Sequence, residues 1–314
     1  MTESQSITAF APATIGNIGC GFDILGMAVE QPGDVVTVGQ KAKPGVTISK
    51  ITGDQGKLPK QANQNTAGVA ALEFVERFDL DCGIEIELEK KMPMGSGLGS
   101  SAASAAAALK ALNTLFDNPA TRRDLLQIGL KAEKAACGSA HADNIAPSLF
   151  GGIILVRNNK GSDIISINVP EKLHCVLVYP HIEIRTEEAR KILPKQIDLS
   201  LAVQQWGNVA GLVSGFYQED YALIGRSMQD LVIEPVRSKL IPGFARVKQA
   251  AVANGALGCS LSGSGPTVFA LSESAEKAKQ TGAAMQAAFK KENLSSNIWI
   301  SAVNKEGAKI IKEE

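Results

Sequence analysis

The chain has 314 residues, enough for two domains of ordinary size, each with its own hydrophobic core. Its 32 basic and 32 acidic residues balance without any block of like charge, which argues against a nucleic-acid-binding role. No uninterrupted apolar run approaches the roughly 20 residues that a membrane span needs, and residues 1–11 lack a signal-peptide pattern. These features predict a soluble cytoplasmic protein with neither nucleic-acid nor membrane partners.

Five cysteines are scattered along the chain, at Cys20, Cys82, Cys137, Cys175 and Cys259. Their odd number and the lack of any close pair match neither a disulfide framework nor a zinc site. We therefore expect them to be small core residues.

The N-terminal half is expected to mix strands and helices. Runs of β-favouring residues predict strands over residues 35–38 and 46–51, with turns at Pro32-Gly33 and Pro44-Gly45. Apolar residues at helical spacing predict a helix over residues 66–78. Residues 84–89 alternate isoleucine or leucine with glutamate, which is typical of a half-solvated strand in an antiparallel sheet.

The most informative motif is the glycine loop, defined as residues 93–101 with the sequence Pro-Met-Gly-Ser-Gly-Leu-Gly-Ser-Ser. It leads into a helix-forming stretch at residues 105–116. Its three glycines let backbone N–H groups approach an anion, and a helix N-terminus adds unpaired donors and partial positive charge. Ser100 and Ser101 can cap the helix or turn a hydroxyl toward a phosphate-bound Mg²⁺. The loop therefore predicts a nucleotide-phosphate site.

The residues of the glycine loop and of the strand before it do not match two other classes of phosphate loop. A Walker A loop needs Gly-Lys-Ser/Thr, and the corresponding Gly99-Ser100-Ser101 has no lysine. A Rossmann loop needs a third glycine at the position of Ser100 and a preceding strand that is buried on both faces. The alternating strand at residues 84–89 does not meet that requirement.

A change of domain is expected near the middle of the chain. Thr121 and Asp124 form a capping-box-like start of a helix that extends to Cys137, and residues 151–156 form a short strand. Residues 158–163 are the most polar break in this region. We place the boundary there, between an N-terminal domain at 1–160 and a C-terminal domain at 161–314.

The C-terminal half has the order strand–helix–strand–strand–helix–strand. Its strands are expected near residues 173–179, 256–261, 267–271 and 298–303, and its last helix at 274–291. This is the order of a ferredoxin-like domain, with extra helices in the first crossover.

Several polar residues that follow the glycine loop are candidates for a site. Glu133 is a candidate to complete Mg²⁺ coordination with a loop serine. His141, Asp143 and Asn144 come next, in a stretch of small residues, and are candidates to orient a polar substrate. Each also has an ordinary explanation, as a solvated helix residue or as part of a turn at a helix end.

Further candidates lie at both ends of the chain. Arg190 and Arg237 are able to clamp a carboxylate bidentately, although each alone is more typical of a surface ion pair. Asn17 and Asp23 are the strongly polar side chains of an otherwise small and apolar segment. Residues 262–266, Ser-Gly-Ser-Gly-Pro, form what we call the second glycine turn, which suggests a simple hairpin or a cover over a ligand.

Three segments together resemble the GHMP kinases. They are Ala11-Pro12-Ala13-Thr14 with Asn17, residues 93–104, and residues 261–267. Within this superfamily the chain is most similar to the homoserine kinases, through residues 17–23, 93–101, 141–144, 234–237 and 261–267. The resemblance spans nearly the whole chain, but the Gly-Glu-His-Thr-Asp opening of galactokinases is absent from these N-terminal residues.

The resemblance implies an α+β fold of two domains, the first like ribosomal protein S5 domain 2 and the second ferredoxin-like. It implies transfer of the ATP γ-phosphoryl group to the side-chain hydroxyl of L-homoserine, in threonine biosynthesis. ATP and Mg²⁺ are the implied cofactors. A homodimer stays an open hypothesis.

The resemblance also implies roles for individual residues. The ATP phosphates would be cradled by Pro93, Met94, Gly95, Ser96, Gly97, Leu98, Gly99, Ser100, Ser101, Ala102 and Ala103. Asn65 would lie near the adenine, and Mg²⁺ would be held by Glu133 and Ser101, or Ser100 in its place. The substrate would be contacted by Asn17, Asp23, His141 and Asp143 at its amine and hydroxyl end, by Arg190 and Arg237 at its carboxylate, and by Gly263 from the second domain.

The predicted catalytic residues are Asp143, Asn144 and Glu133. Asn144 cannot usefully accept a proton, although mevalonate-type relatives have an aspartate base with a lysine. Because phosphoryl transfer depends mainly on positioning and charge neutralisation, we hypothesise that the substrate hydroxyl loses its proton to the γ-phosphate. Asp143 is the competing candidate for a base.

Two alternative functions stay open at this point. One is a GHMP kinase for another small alcohol, such as shikimate or mevalonate, against which the arginine pair and Asp23 argue. The other is a non-catalytic nucleotide sensor on the same fold. Ser101 and Glu133, the two Mg²⁺ candidates, argue against the sensor.

Overall fold

The computed structural model describes residues 5–138, 140, 142–158 and 163–313. The strands of this part of the chain form a seven-stranded and a four-stranded sheet. The elements of the first half are β1 (Ser6–Gly16), β2 (Leu25–Lys41), β3 (Gly45–Thr52), α1 (Thr66–Arg77), β4 (Gly83–Glu89), α2 (Ser100–Leu115), α3 (Arg122–Cys137), α4 (Ala142–Phe150), β5 (Ile153–Asn158) and β6 (Asp163–Ile167).

The elements of the second half begin with β7 (His174–Pro180) and a series of crossover helices, α5 (Thr186–Lys191), α6 (Leu199–Gln218), α7 (Tyr221–Ser227), α8 (Glu234–Arg237) and α9 (Phe244–Ala253). They end with β8 (Gly258–Leu261), β9 (Val268–Ser272), α10 (Ala275–Lys291), β10 (Ser296–Ala302) and β11 (Lys309–Glu313). No helix within the described residues is long and apolar enough to cross a bilayer.

The seven-stranded sheet has the order β11-β1-β2-β4-β3, and β5 pairs with both β2 and β6. Strand β4 is antiparallel to β2 and parallel to β3, so the sheet is mixed. The alternation predicted for β4 is confirmed, because Ile84, Ile86 and Leu88 are buried while Glu87 and Glu89 are exposed. One face of the sheet therefore carries the core, and the other face meets solvent at this strand.

Helix α2 lies at the centre of the first core. Its residues from Ala102 to Leu109 are all buried, and it packs against α1, β1 and β2. A run of alanines adds little bulk, so the helix comes close to the sheet and to its neighbours. The helix start, where the glycine loop ends, is thereby fixed against a rigid support.

The four-stranded sheet has the order β10-β7-β9-β8, with every neighbouring pair antiparallel. This is the arrangement predicted for a ferredoxin-like domain, and that prediction is confirmed. Helices α9 and α10 pack on this sheet, and α5 to α8 are the extra helices of the first crossover.

One turn prediction was wrong. Pro32-Gly33 lies inside β2, where Pro12 pairs with Gly33 and Thr14 pairs with Ala28, so the residues between are extruded as a bulge. The extruded backbone is held from the other sheet, since the Ser301 hydroxyl accepts the backbone N–H of Glu30 at 2.8 Å. A β-bulge thus replaces the expected turn.

The two sheets do not correspond to the two halves of the chain. Strand β6, which follows the expected boundary at residue 160, pairs with β5 in the first sheet. Strand β11 returns from the far end of the chain to pair with β1. The boundary at residue 160 stays a prediction, and it falls between two strands of one hairpin.

Candidate active site

The glycine loop adopts the conformation that its glycines permit. Gly95, Gly97 and Gly99 have φ values of 64°, 77° and 66°, in the left-handed region that glycine enters without steric cost. Gly99 precedes the 16-residue helix α2, and among the described residues no side chain caps the start of that helix. The loop therefore ends in helix N–H groups that are available to an anion.

The space around Gly99 explains why a larger residue would not fit. A Cβ atom there would lie 2.1 Å from Thr14 Oγ1 and 3.0 Å from Asn144 Oδ1. These two side chains are themselves joined, since the Thr14 hydroxyl donates to Asn144 Oδ1 at 2.8 Å. Asn144 therefore lies close to the glycine loop at Gly99 and is held there by Thr14.

The glycine loop is hydrogen-bonded to the segment around the second glycine turn, which connects β8 to β9 in the four-stranded sheet. The Ser262 hydroxyl donates to the carbonyl of Gly97 at 2.7 Å, and the backbone N–H of Thr267 donates to the carbonyl of Ser96 at 3.1 Å. A Cβ atom on Gly97 would lie 2.4 Å from the Ser262 carbonyl oxygen. The two glycine segments are therefore in close backbone contact.

The buried hydroxyl of Ser96 has no hydrogen-bond partner among the described residues. Ser96 lines a cavity that is bordered by the glycine loop. A buried polar group of this kind normally has a partner. A ligand oxygen in the cavity would supply one.

Ser101 and Glu133 form a pair at the start of α2. The Ser101 hydroxyl lies 2.6 Å from Glu133 Oε1 and 3.2 Å from Thr66 Oγ1. Burial raises the pKa of Glu133 to about 7, against the lowering effects of the Ser101 hydrogen bond and the Lys90 charge. A buried carboxylate beside a hydroxyl offers two oxygen ligands, the type that Mg²⁺ prefers.

Asp23 and Arg190 form a bidentate ion pair. The two terminal nitrogens of Arg190 donate to the two carboxylate oxygens of Asp23 at 2.9 and 2.8 Å. Asn17 fixes the loop that carries Asp23, because its Oδ1 accepts the Asp23 backbone N–H at 3.1 Å. A negative carboxylate and a positive guanidinium therefore lie side by side. They are the charges that would pair with the ammonium and the carboxylate of a zwitterion.

Arg237 is almost completely buried and binds two backbone carbonyls. It donates to Gly263 O at 2.9 Å and to Ala189 O at 3.2 Å. Burial lowers the pKa of Arg237 to about 10, and the neighbouring charge of Arg190 adds to this. Both guanidinium groups lie over the ring of Phe22, at 5.1 Å for Arg237 and 5.5 Å for Arg190.

Asp143 lies in the first turn of α4 and is buried. Burial raises the pKa of Asp143 to about 7, and the nearby Asp23 carboxylate acts in the same direction. Gly16 leaves room for it, since a Cβ there would lie 2.9 Å from Asp143 Oδ2. An aspartate with a pKa near 7 is able to exchange a proton at neutral pH.

All of these groups open into one cavity of about 250 Å³. Its lining residues come from loops and helices of both halves of the chain; they are Asn17, Asp23, Gly95, Ser96, Gly97, Gly99, Ser100, Ser101, Glu133, Asp143, Asn144, Thr186, Arg190, Arg237, Gly263 and Ser264. Glycine loop, carboxylates and arginines therefore share a single site.

Comparison with known proteins gives the family. Residues 65–152 match the model of the GHMP kinases N terminal domain, and residues 212–291 match that of the GHMP kinases C terminal region. The homoserine kinase of Chlorobium phaeobacteroides (strain BS1) is 50% identical over 319 residues, which cover 98% of this chain and 100% of that protein. The chain belongs to the GHMP kinase family, among the homoserine kinases.

Solved structures agree with this membership. The crystal structure of homoserine kinase from Cytophaga hutchinsonii ATCC 33406 has a TM-score of 0.96 and 52% sequence identity, and the match covers 99% of both chains. The L. major mevalonate kinase structure has a TM-score of 0.72 at 16% identity over 94% of this chain and 95% of that chain, which shows a shared fold. The α+β architecture predicted from the sequence is confirmed.

Some of the predicted site residues do not reach the cavity. Asn65 is the N-cap of α1, where its side chain accepts the Ala67 N–H at 3.1 Å and donates to the Pro59 carbonyl at 3.1 Å. Five loop and helix residues, Pro93, Met94, Leu98, Ala102 and Ala103, are absent from the lining. His141 lies outside the described residues. The roles predicted for all of these residues stay predictions.

Sequence reasoning missed a buried network beneath the glycine loop. Lys90 Nζ is ion-paired with Asp34 and donates to the Ser100 carbonyl at 2.9 Å and to Ser104 Oγ at 2.7 Å. The Ser100 hydroxyl donates to Asp34 Oδ2 at 3.2 Å. A lysine is thus present at this phosphate loop, but it directly follows the end of β4 and precedes the loop rather than lying inside it.

The hydroxyls of Thr186 and Ser264 were also missed. They lie 3.4 Å apart in the cavity lining, one at the start of α5 and the other in the second glycine turn. Single hydroxyl residues carry no spacing signal, so only the fold brings them together.

Proposed function

We propose that the chain transfers the γ-phosphoryl group of ATP to the side-chain hydroxyl of L-homoserine and so forms O-phospho-L-homoserine, a step of threonine biosynthesis. The observation that carries this proposal is the single cavity shared by the glycine loop and the Asp23–Arg190 pair. One end suits a polyphosphate, and the other suits a small zwitterion. Relatives about 50% identical over the whole chain are homoserine kinases, which supports the same substrate.

ATP binding is supported by the loop geometry. Three left-handed glycines lead into the uncapped start of α2, so backbone N–H groups and the helix dipole are able to stabilise phosphate oxygens. The unpartnered Ser96 hydroxyl fits a further phosphate oxygen. The protein's own contribution is to neutralise phosphate charge and to align the γ-phosphoryl group, which are the main requirements of phosphoryl transfer.

Mg²⁺ fits the pair formed by Ser101 and Glu133. The described residues contain no cluster of three or more His, Cys, Asp or Glu suited to a metal. One carboxylate and one hydroxyl nevertheless suit Mg²⁺, which usually takes its other ligands from phosphates and waters. When bound, the ion would supply positive charge to the phosphate oxygens. Burial disfavours the ionised form of Glu133 and so raises its pKa. A cation bound beside the carboxylate would stabilise that ionised form.

The amino-acid end of the substrate is assigned to the Asp23–Arg190 pair. Substrate binding would exchange one internal ion pair for two, the substrate ammonium with Asp23 and its carboxylate with Arg190. Arg237 adds positive potential, and it also holds the carbonyl of Gly263, which Asn17 Nδ2 reaches at 3.0 Å. Mevalonate and shikimate carry a carboxylate but no ammonium, so Asp23 would be left unpaired with either of them.

The proton of the substrate hydroxyl has two candidate acceptors, the γ-phosphate and Asp143. We propose the direct route to the γ-phosphate, because a loose phosphoryl-transfer transition state needs little help from a base. Asp143 would then hold the substrate in place. Its raised pKa keeps it as the alternative acceptor, whereas Asn144 is engaged with Thr14.

The deciding experiment is an ADP-release assay with Mg²⁺, ATP and a panel of homoserine, mevalonate and shikimate. We expect kcat/KM to be highest for homoserine by several orders of magnitude. A preference for mevalonate or shikimate would contradict the proposal. Tight ATP binding without transfer to any of these hydroxyls would instead support the nucleotide sensor.

A further inference from the structure

Two segments that carry residues of the candidate site also pack against each other outside the cavity. One is the 17–23 loop, which lies between β1 and β2, and the other is the 228–237 segment, which ends with α8. A Cβ atom on Gly19 would lie 2.3 Å from the carbonyl oxygen of Met228, and Gly19 has a φ of 76°. A larger residue would not fit there, so a glycine allows the two backbones to touch.

Gln205, on α6, connects both segments through its side-chain amide. Its Nε2 donates to the carbonyl of Cys20 at 2.8 Å and to Asp230 Oδ1 at 3.0 Å. Its Oε1 accepts the backbone N–H of Leu231 at 2.9 Å. Cys20 belongs to the 17–23 loop, whereas Asp230 and Leu231 belong to the 228–237 segment. One side chain therefore joins the two segments.

Asp230 continues this connection to α8. The residue is buried, and its Oδ1 accepts the backbone N–H groups of Val232 and Ile233, both at 3.0 Å. Its Oδ2 accepts the N–H of Glu234 at 2.9 Å. Helix α8 has only four residues and ends at Arg237. Because so short a helix is not stable by itself, its position depends on contacts of this kind.

The two segments meet a second time at the carbonyl oxygen of Gly263, which lies in the cavity lining. Asn17 Nδ2 donates to this oxygen at 3.0 Å, and Arg237 donates to it at 2.9 Å. The hydrogen bonds at Gly263 and those at Gln205 thus close a ring that contains both segments. The substrate-site residues lie on one side of the ring, and Gln205 lies on the other.

We propose that the Gln205–Asp230 pair positions the amino-acid end of the site. The pair sets the distance between Asp23 and Arg237, and so fits the site to the short backbone of an α-amino acid. Neither Gln205 nor Asp230 lines the cavity, so both act through the residues that do. This inference rests on the proposed function, because it concerns the same substrate.

The first test is Gln205→Met, since methionine has a similar length but forms none of the three hydrogen bonds. We expect the KM for homoserine to rise by about tenfold or more, because small displacements of binding groups weaken catalysis strongly. The KM for ATP should change by less than about twofold. A purely structural role would instead lower kcat, through the fraction of folded enzyme, and leave the KM for homoserine unchanged.

Gln204→Met is the matched control, because Gln204 is the exposed neighbour of Gln205 on the same helix. We expect wild-type values of kcat and of both KM constants. Melting temperatures of the two variants show whether either substitution affects folding. An equal rise of the KM for homoserine in Gln204→Met would overturn the proposal.

A double variant tests whether the pair acts through Arg237. Once Arg237→Met has removed the guanidinium group, its distance from Asp23 no longer matters. In that background, Gln205→Met should raise the KM for homoserine by less than about threefold more. Residues that act independently multiply their effects instead. Multiplied effects would therefore overturn the proposal.

The wild-type chain distinguishes this inference from the proposed function. Homoserine turnover by the wild type, together with a normal KM for homoserine in Gln205→Met, would overturn the inference alone. A wild type that does not phosphorylate homoserine would overturn both. Equal increases of the KM values for ATP and homoserine in Gln205→Met would also overturn the inference, because the pair would then not act on the amino-acid end in particular.

Discussion

Lys90 is ion-paired with Asp34 beneath the glycine loop, and the two side chains are only 3% and 0% exposed. The lysine ammonium also binds the carbonyl of Ser100 at 2.9 Å, in the first turn of α2. Asp34 Oδ1 accepts the backbone N–H of Lys91 at 3.0 Å, which ties β2 to the end of β4. The pair therefore connects the sheet to the residues that begin the helix of the phosphate site.

Replacement of Lys90 is expected to destabilise the fold and to weaken ATP binding. In Lys90→Met the Asp34 carboxylate stays buried without its cation, which costs about 3–5 kcal/mol of unfolding free energy. Lys91→Met is the matched control, because Lys91 pairs with Glu89 at 3.3 Å on the surface and such pairs contribute at most about 1 kcal/mol. Denaturant unfolding of both variants makes the comparison, and equal losses would contradict it.

A double variant distinguishes positioning from stability. Asp34→Asn with Lys90→Met removes both buried charges, so much of the lost stability should return. If the pair positions the start of α2, the KM for ATP stays raised in the double variant while the KM for homoserine changes little. Recovery of a normal KM for ATP along with stability would show that the pair has a purely structural role.

Loss of Arg190 from the Asp23–Arg190 pair is expected to weaken homoserine binding. Arg190→Met removes the group assigned to the substrate carboxylate and leaves Asp23 unpaired, which we expect to raise the KM for homoserine by about 100-fold or more. The KM for ATP should change by less than about twofold, since the pair is assigned to the amino-acid end of the substrate and not to the phosphates. Steady-state kinetics with either substrate varied gives both constants.

Arg185→Met is the control for that measurement, because Arg185 is an exposed arginine just before the same helix. It should leave both constants unchanged. A parallel rise of both KM values in Arg190→Met would contradict the assignment of this pair to the amino-acid end of the site.

The sequence predicted those parts of the fold that leave a local pattern. The alternation along β4 and the strand order of the C-terminal half needed only period and sequence order, and both were confirmed. The Pro32-Gly33 turn was wrong because a contact from Ser301 stabilises the bulged strand there. Such a contact comes from far along the chain and has no local signature.

In the candidate site, too, the sequence predicted the local motifs but not the contacts between residues that are distant in sequence. The glycine loop was visible because its glycines, serines and following helix are adjacent in sequence. Lys90 and Asp34 were missed because they are 56 residues apart and each is unremarkable alone. Arg190 was recognised as a candidate clamp, but its ion pair with Asp23, 167 residues away, needed the folded chain. Long-range electrostatic pairing is therefore what the sequence could not provide.

Glu133→Gln is expected to abolish transfer and yet stabilise the substrate-free protein at high pH. Burial raises the pKa of Glu133 from its ordinary 4.5 to about 7, so between these values the folded state binds a proton that the unfolded state has lost. That stabilisation is complete below the ordinary pKa and is lost as the pH rises through about 7. Glutamine is always neutral and avoids the loss.

Melting temperatures without nucleotide or Mg²⁺, measured below pH 5 and above pH 7.5, test this sign. The variant should resemble the wild type at the lower pH and exceed it at the higher one, while the exposed control Glu187→Gln shows no such gain. A variant that is less stable than the wild type at the higher pH would indicate that Glu133 is held ionised by its surroundings.

Asp143→Asn decides between the two acceptors of the hydroxyl proton. A general base typically contributes a factor of about 10² to 10⁴ to the rate, whereas direct transfer to the γ-phosphate predicts a loss of kcat of about tenfold or less. Because the pKa values of Asp143 and Glu133 are both raised to about 7, a pH profile alone does not separate them. Turnover is therefore measured at fixed pH alongside the Kd of homoserine by calorimetry. Loss of nearly all turnover with a normal Kd would identify Asp143 as the base and exclude the direct route.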